Sequence, residues 1–430
     1  MSRIHTPPKT DLKGWAQLND EQLSVVTEKA IEFNSKYYHW DELIYRIPDG
    51  IDPDMLWGVM KLLRANTMKH VDFKDFYINY SVIPDFQKIT HNIDLETPVF
   101  FQSERFLDKK KKAMLSVSSI MEESIASSQI EGANTTTKVA KKMLMDKRSP
   151  KNKSENMIVN NYNAMQYIKK VKDEPLRPEL ICKLHEIITS GTLNDQDYEG
   201  RFRDSDDIVV QNALTGEIAH CPPEHTKIDS LITSICNYVN SDDEYTHPLI
   251  KGIILHYLIA YVHPFVDGNG RLARSLFYWY SLKKGYWLME FLTISKCIKK
   301  HRQKYDLSYI YSESDDNDIT YFIRFNLDCI VEAMDSFTDY LKKKMEEEDN
   351  LKLAIEDDDN LTLRQKSILR DVAMKEATFS LLEIQTKYQI SRITARNDLL
   401  KLLDSGKIVA CGKAGNRILY RYSDIDDSNP

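Results

Sequence analysis

Residues 263–274 read His-Pro-Phe-Val-Asp-Gly-Asn-Gly-Arg-Leu-Ala-Arg, and this stretch constrains the chain more than any other. Asp267-Gly268-Asn269-Gly270 cannot be the middle of a helix, because Gly and Asn favour turns and positive φ. The run that follows, Arg271 to Leu282, has apolar residues at helical spacing and no breaker, which predicts a helix. A turn whose backbone N–H groups meet the start of a helix binds anions, and Arg271 and Arg274 extend such a site. His263 adds a titratable imidazole and Asp267 a carboxylate. The stretch predicts a polyphosphate held beside a base.

A length of 430 residues suggests about two to four domains, and 42% hydrophobic residues suffice for packed cores. The formal net charge of −7, from 58 basic and 65 acidic residues, argues against a chain devoted to nucleic acid, while leaving room for a local basic patch. Six cysteines (182, 221, 236, 297, 329, 411) lie far apart with no C-x-x-C pair. That spacing predicts free thiols in a reducing compartment rather than a disulfide framework or a zinc site. The polar N-terminus lacks an apolar signal core, and no segment approaches the roughly 18 uninterrupted apolar residues of a membrane span. A soluble cytoplasmic protein with no membrane partner is expected.

Along the chain, residues 1–110 form an N-terminal region of helices, one capped by Asn19 or Asp20 and one opened by Pro53. Within it, 70–105 is aromatic and mixed in period, and its type stays open. A helix is predicted over 113–133, with Met114, Val117, Met121, Ile125 and Ser128 on one face and Gly132 as its stop. The one β-like segment is a hairpin or flap at 208–220, turning at Thr215-Gly216. A helix over 247–261 delivers its C-terminus into His263, and a long helix covers about 319–348. The acid-rich stretch 346–360 is the expected linker, with the main region spanning 111–345.

Residues 361–422 change sign: 361–421 hold 12 Lys or Arg against 5 Asp or Glu, a local charge of +7. Three helices followed by a hairpin predict a winged helix, with 423–430 as a tail. Its third helix offers Arg392, Thr394, Arg396 and Asn397, side chains suited to phosphates and base edges. The fold class expected for the whole chain is mainly α, with a β-hairpin flap and a C-terminal α+β domain.

His263-Pro-Phe-x-Asp-Gly-Asn-Gly-Arg-x-x-Arg274 resembles the signature of the Fic (Fido) family at every defining position. The resemblance covers roughly residues 113–335 and implies an all-helical Fic core with a flap. It implies transfer of AMP from ATP to a Ser, Thr or Tyr hydroxyl of a target protein, or of the chain itself. His263 would then take the hydroxyl's proton, and Asp267 would hold Mg²⁺. Gly268 and Gly270 would let the backbone approach the phosphates, Asn269 would add an amide donor, and Arg271 and Arg274 would grip the distal phosphates. Leu272 and Ala273 belong to the same ATP-binding run, and Phe265 would anchor the loop in the core. By the same resemblance, Ile218, Ala219 and His220 of the flap would line the nucleotide side and Tyr305 would lie near the adenine. An exposed flap could also align a target segment as an added strand.

Ser127-Ser128-Gln129-Ile130-Glu131-Gly132 fits that family's inhibitory pattern, Ser/Thr-x-x-x-Glu-Gly/Asn. The implication is competition: a Glu131 carboxylate paired with Arg274 occupies the guanidinium that ATP needs. Three other readings stay open: a DNA-binding regulator whose Fic core senses nucleotide, a Fic enzyme that removes AMP, and one that moves another phosphate-containing group. The winged helix fits DNA or a protein partner, including a homodimer.

Overall fold

The computed structural model describes residues 4–9, 19–102, 109–211, 218–358, 360–373, 378–415 and 417–423. Two compact units, Met1–Phe337 and Thr338–Pro430, divide the chain. The tail residues 424–430 and the Thr215-Gly216 turn lie outside the described residues, as do Asn416 and parts of the N-terminal tail.

In the first unit, Asn19 caps α1 (Asp20–Lys36) through a capping box with Gln22. A short α2 (Trp40–Leu43) follows, and Asp52 with Pro53 at the first turn opens α3 (Pro53–Ala65). The stretch of open type resolves into an antiparallel hairpin, β1 (Met68–Asp72) and β2 (Tyr77–Ser81), and then α4 (Pro84–Gln102). A buried polar cluster fastens these N-terminal elements to the end of the unit. The Arg64 guanidinium donates to Asn34 Oδ1, Tyr321 OH and the Tyr38 carbonyl at 2.7–2.8 Å, and lies 3.6 Å from Asp315. Tyr37 donates to Asp318 at 2.8 Å.

The helices that build the site come next: α5 (Lys109–Ile130), α6 (Thr137–Met145), α7 (Lys153–Lys170) and α8 (Pro178–Thr189). The flap contributes β3 (Val210–Gln211) and β4 (Ile218–His220), paired antiparallel with an irregular register. Then follow α9 (Ile228–Asn240), α10 (Pro248–Val262), α11 (Asn269–Lys283), α12 (Ile294–Lys300) and α13 (Arg302–Ser314). Helix α10 is apolar all round and buried along almost its whole length, as such a pattern requires. It packs against α11, so the turn between them, residues 263–268, is held from both sides.

Helix α14 (Thr320–Glu356) runs further than the residue 348 expected from sequence. Glu346–Asp349, expected in a linker, is therefore helical. Glu and Lys are good helix formers, and pairs one turn apart, Lys344–Glu347 at 2.8 Å and Asp349–Lys352 at 2.9 Å, reinforce the turn.

The second unit contains α15 (Leu363–Ala373), β5 (Phe379–Ser380), α16 (Leu381–Tyr388), α17 (Arg392–Asp404), β6 (Ile408–Ala414) and β7 (Arg417–Tyr422). Its three-stranded sheet has the order β5-β7-β6 and is antiparallel. Ile368, Leu369, Ile384, Ala395, Leu399, Leu402 and Ile408 fill its own small core. The chain as a whole is mainly helical with small sheets.

Candidate functional site

His263 ends α10 in the left-handed region, at φ 47° and ψ 58°, so the chain turns sharply just where the imidazole projects. Two groups outside the motif hold that turn. Arg203, itself buried, donates from Nε to the His263 carbonyl at 3.0 Å, and its backbone N–H donates to the Pro264 carbonyl at 2.9 Å. From the other side, His185 stacks on Phe265 with ring centroids 3.7 Å apart. The Gly200 N–H donates to His185 Nδ1 at 3.0 Å, so the ring proton sits on Nε2 and is donated to the Asp267 carbonyl at 2.8 Å. Neither Arg203 nor His185 was singled out from sequence. Both lie far from the motif in the chain, and only the fold brings them to it.

Asn269 does not serve as an amide donor toward a ligand. It is buried, its Oδ1 accepts from the Phe265 N–H at 3.0 Å, and its Nδ2 donates to the Phe265 carbonyl at 2.7 Å. Its side chain staples the loop shut. Phe265 is fully buried, as expected of an anchor.

Helix α11 starts at Asn269, two residues before the expected Arg271, because Gly268 at φ 84° completes the turn and becomes its N-cap. At Gly268 a Cβ would also sit 2.8 Å from Thr189 Cγ2. The first-turn N–H groups of Asn269, Gly270 and Arg271 have no partner within the helix by geometry, and the macrodipole adds positive potential there. An anion belongs at this spot.

The Glu131 carboxylate lies beside this first turn, against Gly270. A Cβ at Gly270 would collide with Glu131 Oε1 and lie 2.9 Å from its Cδ. Glu131 Oε1 also accepts from Arg274 Nη2 at 2.9 Å, while Arg274 Nε donates to Ser127 Oγ at 2.8 Å and Nη2 to the Ser127 carbonyl at 3.0 Å. Glu131 lies just past the end of α5, where Gly132 turns the chain at φ 90°. A carboxylate at a helix C-terminus is disfavoured by that helix's dipole, and here it faces the N-terminus of α11 instead. Burial alone would raise the Glu131 pKa, but the guanidiniums of Arg274, first, and of Arg271 and Arg302 together outweigh it and hold the group below its ordinary value. The Glu131 side chain keeps 29% exposure against 4% for Arg274, so the pair is open on the Glu131 side.

Arg271 does not share Arg274's situation. Its guanidinium is buried, Nη1 donates to the Ile188 carbonyl at 2.9 Å, and Nε is buried with no hydrogen-bond partner. Leu272 and Ala273 are fully buried in the helix packing and cannot meet a ligand with their side chains.

Desolvation pushes the His263 imidazole down to about 4, against the upward pull of its contact with the Ala260 carbonyl. That contact, Nδ1 to O at 3.4 Å, favours the proton on Nδ1 and leaves the Nε2 lone pair to act as a base. Asp267 is exposed at the rim of the loop, and its Oδ1 accepts from the Gly268 N–H at 2.6 Å. A single exposed carboxylate beside an anion site fits Mg²⁺, which keeps several waters and takes its remaining oxygens from phosphates.

The flap and the aromatic expectations change. Ile218 is 60% exposed and Ala219 half-buried, but His220 is buried. Its ring bonds Glu313 Oε2 at 2.8 Å and the Tyr261 carbonyl at 2.7 Å, so His220 pins the flap rather than lining an opening. Tyr305 is buried too, with its hydroxyl committed to His256 Nε2 at 3.0 Å and Tyr309 at 3.1 Å, and it has no open face for an adenine. In the second unit, Arg392, Arg396 and Asn397 are exposed on α17. Thr394 instead serves the helix start, its N–H and hydroxyl bonded to the Ser391 hydroxyl.

The Fic/DOC family profile matches residues 175–281, which span α8 to α11 and contain the whole turn. Relatives called protein adenylyltransferase Fic include one from Nematostella vectensis, 25% identical over 49% of this chain and 47% of its own length. Another, from Aedes aegypti, is 32% identical over 27% of this chain and 22% of its own length. The chain thus spans less than half the length of the curated relatives it matches. A Fic family protein from Desulfovibrio desulfuricans shares the fold at a TM-score of 0.53 and 18% identity, covering 80% of this chain and 97% of that one. Motif, helical frame and profile agree on a Fic/DOC domain at residues 175–281.

Proposed function

We propose that the chain transfers AMP from ATP to a hydroxyl side chain of a target protein, or of itself, and that Glu131 holds this activity in check. The observation that carries the reading is the Glu131 carboxylate seated on Gly270 and paired with Arg274, in the place an anion would take. A built-in carboxylate beside the first turn of a helix, paired with an arginine, supports a phosphate site there. The naming of the relatives as adenylyltransferases supports the same chemistry.

In this reading the target oxygen attacks the α-phosphorus, its proton passes to His263 Nε2, and pyrophosphate leaves. Arg274, once released from Glu131, grips the distal phosphates, while the α11 N–H groups receive the phosphate nearest the loop. The buried Nε of Arg271, lacking a partner, gains one if the loop shifts to admit phosphate. Asp267 would hold Mg²⁺, which when bound offsets charge on the phosphates. The test is incubation with ATP labelled at the α-phosphate and magnesium. Label should appear on protein with the wild-type chain and vanish with His263→Ala, and equal labelling by both would sink the reading.

A second reading concerns the C-terminal unit, as a winged helix that binds duplex DNA. Exposed Arg392, Arg396 and Asn397 along α17 favour it. Full-length chain should then bind duplex DNA with steep salt dependence, lost in the Arg392→Ala and Arg396→Ala double variant. Salt-insensitive binding, or binding kept by the variant, would contradict it.

A further inference from the structure

Away from the loop, α12 and α14 bring four ligand-type side chains together. Cys297 and His301 are four residues apart at the end of α12, and Cys329 and Glu332 three apart on α14, spacings that put each pair on one helix face. Cys297 Sγ lies 3.4 Å from Glu332 Oε2, and His301 Nε2 lies 3.1 Å from the same oxygen. One donor atom each from Cys297, His301 and Glu332 falls within 4.8 Å of the others. Cys329 Sγ is 2.8 Å from Cys297 Sγ, and both cysteines are buried free thiols.

We infer that Cys297, His301 and Glu332 form the core of a binding site for a borderline-soft divalent cation, zinc by its chemistry, which Cys329 completes by swinging its sulfur from the Cys297 contact toward the other donors. Two thiolates, an imidazole and a carboxylate are a donor set zinc takes in a tetrahedron. At its usual bond lengths the donors stand about 3.3–3.8 Å apart, and the oxygen–sulfur and oxygen–nitrogen distances are already close to that. The two sulfurs must part by about an ångström, and the Cys329 sulfur, outside the group of donors already within 4.8 Å of one another, must turn toward His301 and Glu332. Binding replaces each thiol proton with a metal bond, so two protons go to solvent. The complex then carries one net negative charge, and Lys300 Nζ is in place to offset it, 2.7 Å from Glu332 Oε1. Cys297 and Cys329 face the interior, while the His301 and Glu332 side chains are 32% and 36% exposed, which gives the ion a path in.

The site would staple the α12–α13 corner, where His301 ends one helix and starts the next, to α14. The same corner holds the end of α5. Lys299 Nζ donates to Gln129 Oε1 and Arg302 Nη1 to the Ile130 carbonyl, both at 2.7 Å. The metal would therefore brace the segment that carries Glu131.

Reduced full-length protein dialysed against zinc ions tests the assignment, with bound metal counted by elemental analysis. One equivalent is expected on the wild type and on a Cys182→Ser, Cys411→Ser control, and none on Cys297→Ser with Cys329→Ser. Cobalt loading of the wild type, which needs no variant to fold, should give tetrahedral d–d bands with thiolate charge transfer. No bound zinc on the wild type, a full equivalent on the Cys297/Cys329 variant, or cobalt spectra without a thiolate band would each overturn it. So would a disulfide between the two thiols, seen as a mass two hydrogens lower that reduction restores.

Discussion

Glu131 Oε1 sits 2.9 Å from Arg274 Nη2 and against Gly270, so one carboxylate engages the guanidinium beside the first turn of α11. The two residues are 143 positions apart in the chain. Their meeting depends on Ser127, whose hydroxyl and carbonyl orient Arg274, and on Gly132, which turns the chain after Glu131.

The depressed pKa of His263 sets a pH dependence. The free imidazole, at about 4, is neutral at pH 7 and able to accept a proton. It loses that ability only as pH falls through about 4, not through the ordinary value near 6.5. The acid limb of kcat/KM for AMP transfer, which reports the free enzyme, should fall well below pH 6. A limb centred near 6.5 would contradict the desolvated setting of the ring.

Stability should follow the same sign. His185 and His39 are fully buried and pushed down to about 4 and about 3. Below pH 6.5 the unfolded chain takes up protons at these rings before the folded chain does. Unfolding free energy should then drop by up to ~1.4 kcal/mol per pH unit for each ring, from about 6.5 down to the folded values. Urea midpoints measured from pH 7 to pH 5 check this, and a flat profile would contradict it.

Asn269→Ala should act on the loop rather than on a ligand contact. It strips partners from the N–H and carbonyl of buried Phe265, at ~1–3 kcal/mol for each group left unpaired. Denaturant titration should show that loss, and AMP transfer should fall ~100-fold through misplacement of the loop.

Arg64→Leu probes the fastening of the N-terminal helices. The change takes the second cation from buried Asp315, leaving it Lys61 and the Tyr321 hydroxyl, and strips the half-buried Tyr38 carbonyl and Asn34 Oδ1 of a donor. Each acceptor left without its donor costs ~1–3 kcal/mol, read as a lower urea midpoint. An unchanged midpoint would show that the cluster contributes nothing.

How much of this was legible in the sequence depends on how local each determinant is. The turn from His263 to Gly270 announces itself, because Gly268 is needed for a positive φ and Pro178, Asn19 and Gly132 mark helix ends by local chemistry. The Glu131–Arg274 pairing was foreseen because its two halves each sit in a recognisable pattern. The roles of Asn269, His220 and Tyr305 were not, since a polar side chain near a site can face the ligand or brace the backbone. Only the packed neighbours Phe265, Glu313 and His256 decide which. Arg203 and His185 carry no local signal at all, and they become visible when α8 and the segment between it and the flap are folded onto the turn. The cysteines told the same story in reverse: spaced far apart in sequence, Cys297 and Cys329 are neighbours across two helices.

The most direct test is the rate of AMP incorporation from ATP by Glu131→Gly relative to wild type, at equal protein and with magnesium. Removing the carboxylate frees Arg274 and clears the space beside Gly270, and a coupling of the usual size predicts a rise of roughly 5–150-fold. Equal rates, with Glu131→Gly folded and His263 intact, would show that the Glu131–Arg274 contact does not restrain the enzyme.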